Sequence, residues 1–216
     1  MRTKSDTSDK MKIIETFTSL QGEGLKMGAL TFFIRMAGCN LRCSWCDTKY
    51  AFGEGEECDI ETLANMPDVK NVCITGGEPL LQEKLPELIE KLLSKGKHIV
   101  LETNGSMDIS YLCDDPYLMI SMDIKCPTSG MSDRMLMSNI QHLKMKDQLK
   151  FIIADGEDLI YAIKVLEDYS PRTNVIFSPV GGMDLEPLAE EVISRRLEVR
   201  VLPQLHKIIW GDKRSV

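Results

Sequence analysis

Three cysteines lie within eight residues of the chain, at Cys39, Cys43 and Cys46, with the spacing CxxxCxxC. Three thiolates on one loop can bind three irons of a 4Fe–4S cluster and leave the fourth iron without a protein ligand. An iron that is open in this way can bind a small molecule and pass an electron to it. Sulfur ligands suit iron–sulfur clusters and zinc far better than magnesium or calcium. The spacing therefore favours a metal centre with redox chemistry.

Zinc binding and simple core packing are the two alternative roles of these thiols. A structural zinc site would need a fourth Cys or His at the spacing of a finger or a ribbon, and no second CxxC or HxxxH pair follows in the sequence. The three cysteines could also be core residues that are close together by coincidence. The non-enzymatic alternative is a binding module that carries zinc or a cluster. The compact spacing favours the cluster.

The chain as a whole predicts an α/β fold. Apolar runs alternate with segments whose apolar residues recur at helical spacing, which is typical of βαβ units and a parallel sheet. The predicted strands are 11–18, 29–37, 69–75, 98–101, 117–121, 149–154, 174–177 and 198–203. The predicted helices are 59–67, 80–93, 133–146, 157–169 and 184–196, with an exposed loop at 51–58. Fewer helices than strands in the first third indicate a partial, incomplete TIM-like βα barrel, formed by one domain over 11–216 after a flexible tail at 1–10.

Polar residues and glycines follow most of the predicted strands directly. The carboxyl ends of parallel strands share one face of a barrel, and ligands bind at that face. The clusters that would meet there are 21–24, 39–48, 76–79, 102–105, 122–125, 178–182 and 204–207. We therefore expect one site in which the cysteine loop meets all the other clusters.

Several polar residues outside the cysteine motif are candidates for ligand binding. Arg35 lies inside a predicted strand, where a guanidinium is costly unless an acidic ligand or a structural carboxylate pairs with it. Gln21 and Glu23 stand between glycines, in a turn that could approach a ligand or could be a plain β-turn. Asp47 and Thr48 offer hard oxygen ligands at the edge of the cysteine loop.

Composition limits the classes of partner. The formal net charge is -7 and no long Lys/Arg run occurs, which argues against nucleic acid as a direct substrate. No apolar run reaches the roughly 18 residues of a membrane span, and the N-terminus has no signal-peptide core. Seven cysteines without a secretory signal indicate reduced thiols and a cytoplasmic location.

The cysteine motif, with Trp45 before its last cysteine, resembles the signature of the radical S-adenosylmethionine (SAM) superfamily. The resemblance implies that the methionine end of SAM chelates the open iron, and that an electron from the cluster splits the sulfonium to give a 5′-deoxyadenosyl radical. The segment GGEP at 76–79 is similar to the superfamily's segment that lines the methionine moiety. We expect glycine there because a side chain would keep the ligand away from the backbone.

Further segments together resemble the 7-carboxy-7-deazaguanine synthases over roughly residues 11–210. They are SLQGEG at 19–24, Arg35 four residues before Cys39, CDT at 46–48, TGGEP at 75–79, SMDIKCP at 121–127 and LHK at 205–207. That family converts 6-carboxy-5,6,7,8-tetrahydropterin to 7-carboxy-7-deazaguanine with loss of ammonia. The resemblance implies that the radical takes a hydrogen from C6 of the pterin and that this hydrogen is later returned, so that SAM is used catalytically.

The resemblance also assigns roles to individual residues. It implies that the pterin is bound by Leu20, Gln21, Gly22, Glu23, Arg35, Thr75 and His206. It implies that SAM is bound by Trp45, Cys46, Asp47, Gly77, Glu78, Glu102, Asn104, Asp123, Ile124, Lys125, Ser178, Pro179, Val180 and Gly181. The cluster would be held by Cys39, Cys43 and Cys46, and Mg²⁺ by Thr48 together with the substrate carboxylate. No side chain receives a catalytic role beyond the cluster and the cofactor.

The implied partners are the small-molecule pterin, a low-potential electron donor such as flavodoxin or ferredoxin, and a second copy of the chain in a homodimer. A glycyl-radical activase is the alternative enzyme, since such proteins share the cysteine spacing and similar size. The turn at 21–24 and the pair Asp47 and Thr48 speak against it. Some family members carry an insertion between the first two cysteines, which this chain lacks, and residues 211–216 receive no role.

Overall fold

A computed structural model describes residues 9–216, which form one nine-stranded sheet with α-helices. The strands are β1 (Lys10–Leu20), β2 (Leu30–Met36), β3 (Glu56–Asp59), β4 (Asn71–Gly76), β5 (His98–Thr103), β6 (Leu118–Ile124), β7 (Gln148–Ile153), β8 (Asn174–Pro179) and β9 (Arg200–Val201). The helices are α1 (Ile60–Asn65), α2 (Leu85–Ser94), α3 (Gly156–Tyr169), α4 (Glu186–Arg195) and α5 (Leu205–Trp210).

The sheet is an open barrel, as predicted. Its order is β3-β1-β2-β4-β5-β6-β7-β8-β9, so β3 and β9 form the two edges. The pairs from β2 through β9 are parallel, whereas β1 runs antiparallel to both of its neighbours. Because these seven strands are parallel, their carboxyl ends lie at one edge of the sheet.

The predicted helix over 133–146 is wrong. The structure has two short 3₁₀ turns there, Ser132–Arg134 and Met137–His142. Asn139 accounts for the difference, because its buried side chain donates to the carbonyl of Met107 at 2.7 Å and accepts from the amide of Ile109 at 3.3 Å. These bonds hold the segment against the loop after β5, and a periodic pattern cannot reveal such a tertiary contact.

Three predicted boundaries also differ from the structure. The expected exposed loop at 51–58 contains most of β3, which pairs with the start of β1. Lys10, which we placed in the flexible tail 1–10, already pairs with Asp59, while the rest of that tail up to residue 8 lies outside the described residues. The helix predicted from residue 80 begins as a 3₁₀ turn and becomes α-helical at Leu85.

The concave face of the sheet has an apolar floor and a polar row above it. The floor consists of Phe33, Cys73, Val100 and Met119, which are neighbours in register across four strands. Because side chains alternate along a strand, the residues two positions further on face the same side. They are Arg35, Thr75, Glu102 and Ser121. The polar row therefore lies one step nearer to the carboxyl ends.

The main core lies on the convex face, under the helices. Helix α2 contributes four side chains to this core, which are almost fully buried and follow the predicted helical spacing: Leu85, Leu88, Ile89 and Leu92. Within residues 9–216, no helix has the length and apolar character needed to cross a membrane. All seven cysteines are free thiols.

Candidate active site

A cavity of about 640 Å³ opens at the carboxyl ends of the parallel strands, a size suited to small ligands. Most of the predicted site residues line it: Leu20, Gln21, Gly22, Glu23, Arg35, Cys39, Cys43, Trp45, Cys46, Asp47, Thr48, Thr75, Gly77, Glu102, Asn104, Asp123, Lys125, Val180, Gly181 and His206. The structure therefore brings the cysteine loop and the strand-end clusters to one place.

Four predicted residues do not line this cavity. Ile124 is fully buried in the main core. Ser178 uses its hydroxyl to donate to the carbonyl of Leu202 at 2.7 Å, and Pro179 is the last residue of β8. Glu78 is fully buried behind the wall. The predicted contacts of these four residues with SAM are therefore not supported by the lining of the cavity.

The cysteine loop is held by contacts at both ends. The backbone amide of Ser44 donates to the carbonyl of Ser129 at 3.0 Å, and its hydroxyl donates to the carbonyl of Thr128 at 2.7 Å. Arg42 donates to the carbonyl of Cys39 at 2.8 Å, and its guanidinium stacks 4.3 Å from the centre of the Phe52 ring. These contacts fix the backbone of the loop between Cys39 and Ser44.

The three thiols suit a cluster better than a single ion. They are half-buried, and burial raises the pKa of both Cys43 and Cys46, so iron binding would have to displace protons. Across residues 9–216, no group of three or more His, Cys, Asp or Glu side chains surrounds a single-ion position. Ligands of a 4Fe–4S cluster bind three separate irons, whereas a zinc site draws its ligands around one ion.

Gly77 lets the GGEP segment pack against the base of the cysteine loop. The amide of Glu78 donates to the carbonyl of Gly38 at 2.8 Å. A Cβ atom at Gly77 would lie 1.9 Å from that carbonyl oxygen and 2.9 Å from Cβ of Cys39. The structure thus adds a packing reason for this glycine to the ligand approach that we inferred from the sequence.

The carboxylate of Glu78 joins the GGEP segment to the end of β5. It accepts from the amides of Leu80 at 3.0 Å and Asn104 at 2.7 Å, and from the hydroxyl of Thr103 at 2.9 Å. Burial raises the pKa of Glu78 to about 7, although these three donors oppose the shift. Because the pKa is raised on folding, ionising this carboxyl lowers stability as the pH rises from the usual Glu range towards 7.

Glu78→Gln is expected to lower the free energy of unfolding by about 1–3 kcal/mol. The amide would place an NH₂ group against a backbone N–H, so one buried donor would lose its acceptor. Urea unfolding at neutral pH measures the loss. Glu90→Gln, at an exposed position, is the control and should leave the midpoint unchanged. An unchanged midpoint for Glu78→Gln would contradict the joining role of this carboxylate.

Two buried donors in the cavity wall lack partners. The side-chain amide nitrogen of Gln21 and the indole nitrogen of Trp45 make no hydrogen bond. The Gln21 amide also lies near the thiol of Cys73, but a thiol is a weak acceptor. Buried polar groups in folded proteins are nearly always paired, so an unpaired donor in a cavity indicates a ligand contact.

The start of α5 packs on the turn that carries Gln21 and Glu23. The amide of Leu205 donates to the carbonyl of Gly22 at 2.8 Å. A Cβ atom at Gly22 would lie 2.3 Å from Nδ1 of His206, so only glycine leaves room for the imidazole. This contact places the C-terminal histidine beside the first turn of the chain.

Arg35 has a structural partner. Its Nε atom lies 2.7 Å from Oε1 of Glu15, which also accepts from the hydroxyl of Tyr50 at 3.0 Å. Burial would raise the pKa of Glu15, but hydrogen bonds from Ser215, Arg35 and Tyr50 outweigh it and lower the pKa. Of the two partners that the sequence left open, the structure contains the carboxylate. The guanidinium still lines the cavity, where it can also meet an acidic ligand.

The C-terminal segment 211–216 forms part of the cavity wall, a role that the sequence did not reveal. The hydroxyl of Ser215 donates to Glu15 at 2.6 Å, and the Arg214 guanidinium lies 4.1 Å from the centre of the Tyr50 ring. The segment has no motif of its own, and only the tertiary structure shows that it returns to the site.

A buried ionic cluster surrounds Lys150, another residue that the sequence motifs did not single out. Its Nζ atom lies 2.9 Å from Glu23, 2.8 Å from Glu102 and 3.2 Å from Asp123. Lys125 pairs with Asp123 at 3.0 Å. A charge inside the apolar run LKFIIA was the signal available in the sequence, since a buried charge needs partners.

The carboxylates of this cluster respond differently to burial. Burial would raise the pKa of Glu23, but the ammonium of Lys150 outweighs it and the pKa is lowered. Burial dominates at Glu102, whose pKa is raised despite the same ammonium. Glu23 is therefore held ionised, as an acceptor for ligand donors.

The comparisons with known proteins identify the class first. A family model described as the Radical SAM superfamily matches residues 33–128. The crystal structure of QueE from Escherichia coli has a TM-score of 0.76, is 24% identical, and aligns over 91% of this chain and 95% of that chain. SuiB from Streptococcus suis, bound to precursor peptide SuiA, has a TM-score of 0.58 over 78% of this chain and 47% of that chain, at 11% identity. The open barrel and its cysteine loop are those of a radical SAM enzyme, a class that uses a 4Fe–4S cluster and SAM.

The sequence relatives identify the family. The 7-carboxy-7-deazaguanine synthase of Thermoplasma acidophilum is 39% identical over 94% of this chain and 98% of the relative. That of Methanospirillum hungatei is 43% identical over 94% and 86%, and that of Clostridium acetobutylicum 39% identical over 95% and 99%. The chain belongs to the 7-carboxy-7-deazaguanine synthases, which confirms the resemblance drawn from its motifs.

Proposed function

We propose that this protein converts 6-carboxy-5,6,7,8-tetrahydropterin to 7-carboxy-7-deazaguanine, with loss of ammonia, as a radical SAM lyase of 7-deazapurine biosynthesis. The observation that carries the proposal is that three free thiols share one cavity with an unpaired amide donor, an ionised carboxylate and a guanidinium. These groups are Gln21, Glu23 and Arg35. A pterin carrying a carboxylate offers a partner for each of them.

The pterin would lie against the turn that carries Gln21 and Glu23. The unpaired amide nitrogen of Gln21 donates to a ring carbonyl, and the ionised Glu23 accepts from ring N–H groups. Arg35 binds the carboxylate of the pterin while Glu15 holds the guanidinium in place at 2.7 Å. His206 and Thr75 complete the wall around the ring.

The cofactor would occupy the side of the cavity between the cysteine loop and β5. When bound to the cluster, SAM supplies the radical that starts the reaction. The carboxylates of Glu102 and Asp123 would accept from ribose hydroxyls, and Lys125 would bind the cofactor carboxylate; all three residues line the cavity. The floor residues Phe33 and Cys73 and the segment 211–216 line the same cavity. The chain's task is orientation and the exclusion of water.

Thr48 is proposed as the protein ligand of Mg²⁺, which prefers few protein ligands and fills its octahedron with substrate and water. Its hydroxyl lies at the cavity and donates to Asp47 at 2.9 Å. Thr48→Ala is expected to cleave SAM normally but to need about tenfold more Mg²⁺ for half-maximal turnover, because a ligand is lost.

Turnover against Mg²⁺ concentration measures this effect. Thr62→Ala is the control, since Thr62 is exposed on α1 and does not line the cavity. An unchanged magnesium dependence for Thr48→Ala would show that another group binds the ion.

A direct assay tests the function. Reconstituted protein is mixed without oxygen with SAM, reductant, Mg²⁺ and the carboxypterin, and the product is identified by mass. We expect 7-carboxy-7-deazaguanine and ammonia in equal amounts. Failure to form the product, together with formation of a glycyl radical on a partner protein, would favour the activase instead.

The remaining partners are also proposals. A low-potential flavodoxin or ferredoxin would supply the electron, and the family resemblance implies a homodimer. Free thiols at all seven cysteines and an oxygen-labile cluster fit a reducing cytoplasm. Size-exclusion chromatography with light scattering tests the dimer.

A further inference from the structure

Lys150 connects the two halves of the cavity. Its side chain is 4% exposed, and its ammonium contacts carboxylates from three different parts of the chain. Glu23 comes from the turn after β1, Glu102 from β5 and Asp123 from β6. Two of its three donors form hydrogen bonds, to Glu23 at 2.9 Å and to Glu102 at 2.8 Å. The ammonium lies 3.2 Å from Oδ1 of Asp123 as an ion pair.

The three carboxylates belong to two subsites of the cavity. Glu23 faces the pterin in the proposed function, whereas Glu102 and Asp123 face SAM. Two further residues also contact these carboxylates. Lys125 pairs with Asp123 alone, at 3.0 Å, and Gln204 donates to Oε1 of Glu23 at 2.6 Å.

We propose that Lys150 is a positioning residue, whose single ammonium fixes the pterin-binding carboxylate of Glu23 and the SAM-binding carboxylates of Glu102 and Asp123 in one geometry. The identity of the pterin in this statement rests on the proposed function. The part that concerns Glu102 and Asp123 rests only on the radical SAM class.

Electrostatics makes the charge of Glu23 depend on Lys150. The charged and titratable groups that act on Glu23 are Glu102, Asp123, Lys150 and the imidazole of His206. Without the ammonium, two buried anions would repel Glu23, and only His206 and a neutral amide would oppose them. A buried carboxyl in that position would take up a proton and lose its capacity to accept from the pterin.

Lys150→Met tests the proposal, because it keeps the length of the side chain and removes the charge. We expect the KM for the pterin to rise at least about tenfold, the range for loss of a charged hydrogen bond, with a smaller change in kcat. The dissociation constant for SAM should rise several-fold as well. Lys164→Met removes an exposed ion pair and should change neither value.

The pH profile separates positioning from a general loss of packing. In the unaltered protein the pterin KM should stay flat between about pH 6 and 8, because Glu23 remains ionised. In Lys150→Met it should rise as the pH falls, since the protonated carboxyl no longer accepts. Adding Glu23→Gln to Lys150→Met should remove this pH dependence, because the amide does not titrate.

Two more variants keep the test decisive if Lys150→Met does not fold. Gln204→Met keeps the stem that packs on Gly182 and removes the bond to Glu23, so it should raise the pterin KM and leave SAM binding unchanged. Lys150→Arg keeps the charge and shifts the geometry, so it should raise the pterin KM without a pH dependence.

The outcomes distinguish the two proposals. A folded Lys150→Met protein with a flat, unchanged pterin KM and unchanged SAM affinity would overturn the role of Lys150, as would an unchanged pterin KM in Lys150→Arg when Lys150→Met does not fold. Unaltered protein that binds SAM but forms no deazaguanine would overturn the proposed function instead. Lys150 would then be judged by the SAM dissociation constant of its variants.

Discussion

Cys43→Ala protein is expected to hold no stable 4Fe–4S cluster after anaerobic reconstitution and to lose all turnover. Cys43 is one of three thiols in the loop, and two thiolates cannot hold a cluster that needs three. Iron content, visible absorbance and formation of 5′-deoxyadenosine measure the loss. We expect each of them to fall to background.

Cys113→Ala is the matched control for this substitution. Cys113 is an exposed free cysteine outside the loop, so its removal should leave iron content and turnover unchanged. Cys43→Ala protein with a full complement of iron and normal SAM cleavage would contradict the assignment of the loop. Zinc without iron in the unaltered protein would favour the binding module that the sequence left open.

Gly77→Ala is expected to have the second largest effect, a loss of about 3 kcal/mol or more of stability together with poor cluster loading. The new Cβ would lie 1.9 Å from the carbonyl oxygen of Gly38. That oxygen belongs to the backbone, so it cannot rotate away as a side chain could. The GGEP segment and the cysteine loop would have to move apart. Thermal unfolding and iron content measure the two effects.

Gly156→Ala is the control for the same change of residue. Gly156 is the first residue of α3, and a Cβ there would meet no atom within 4 Å. Alanine lowers the conformational entropy of the unfolded chain relative to glycine, so this variant should have an unchanged or slightly higher stability. Equal behaviour of Gly77→Ala and Gly156→Ala would show that the close approach to Gly38 does not matter.

The sequence predicted the fold class and the position of the site because both depend on local patterns. Strand and helix periodicities indicated the open βα barrel, and polar residues at strand ends converge wherever strands are parallel. Cys39 and its two neighbours needed only their spacing to indicate a cluster. The floor residue Cys73 stands in the apolar run VKNVCIT, and it is 1% exposed.

What the sequence did not predict depends on contacts between distant segments. The partner of Arg35 is Glu15, 20 residues earlier on the antiparallel neighbour strand, and no pattern distinguishes it from other carboxylates. Ser215 reaches the same carboxylate from 200 residues away. The role of Lys150 depends on three carboxylates that come from distant parts of the chain. Asn139 prevented a helix that the periodicity favoured, through bonds to another loop.

In the proposed function the pterin and SAM meet in one cavity, close enough for a hydrogen to pass between them. Carboxypterin labelled with deuterium at C6, followed by mass analysis of the nucleotide after turnover, tests this directly. We expect deuterium at the 5′ carbon of the recovered 5′-deoxyadenosine or SAM. A nucleotide that is cleaved during turnover yet carries no deuterium would contradict it.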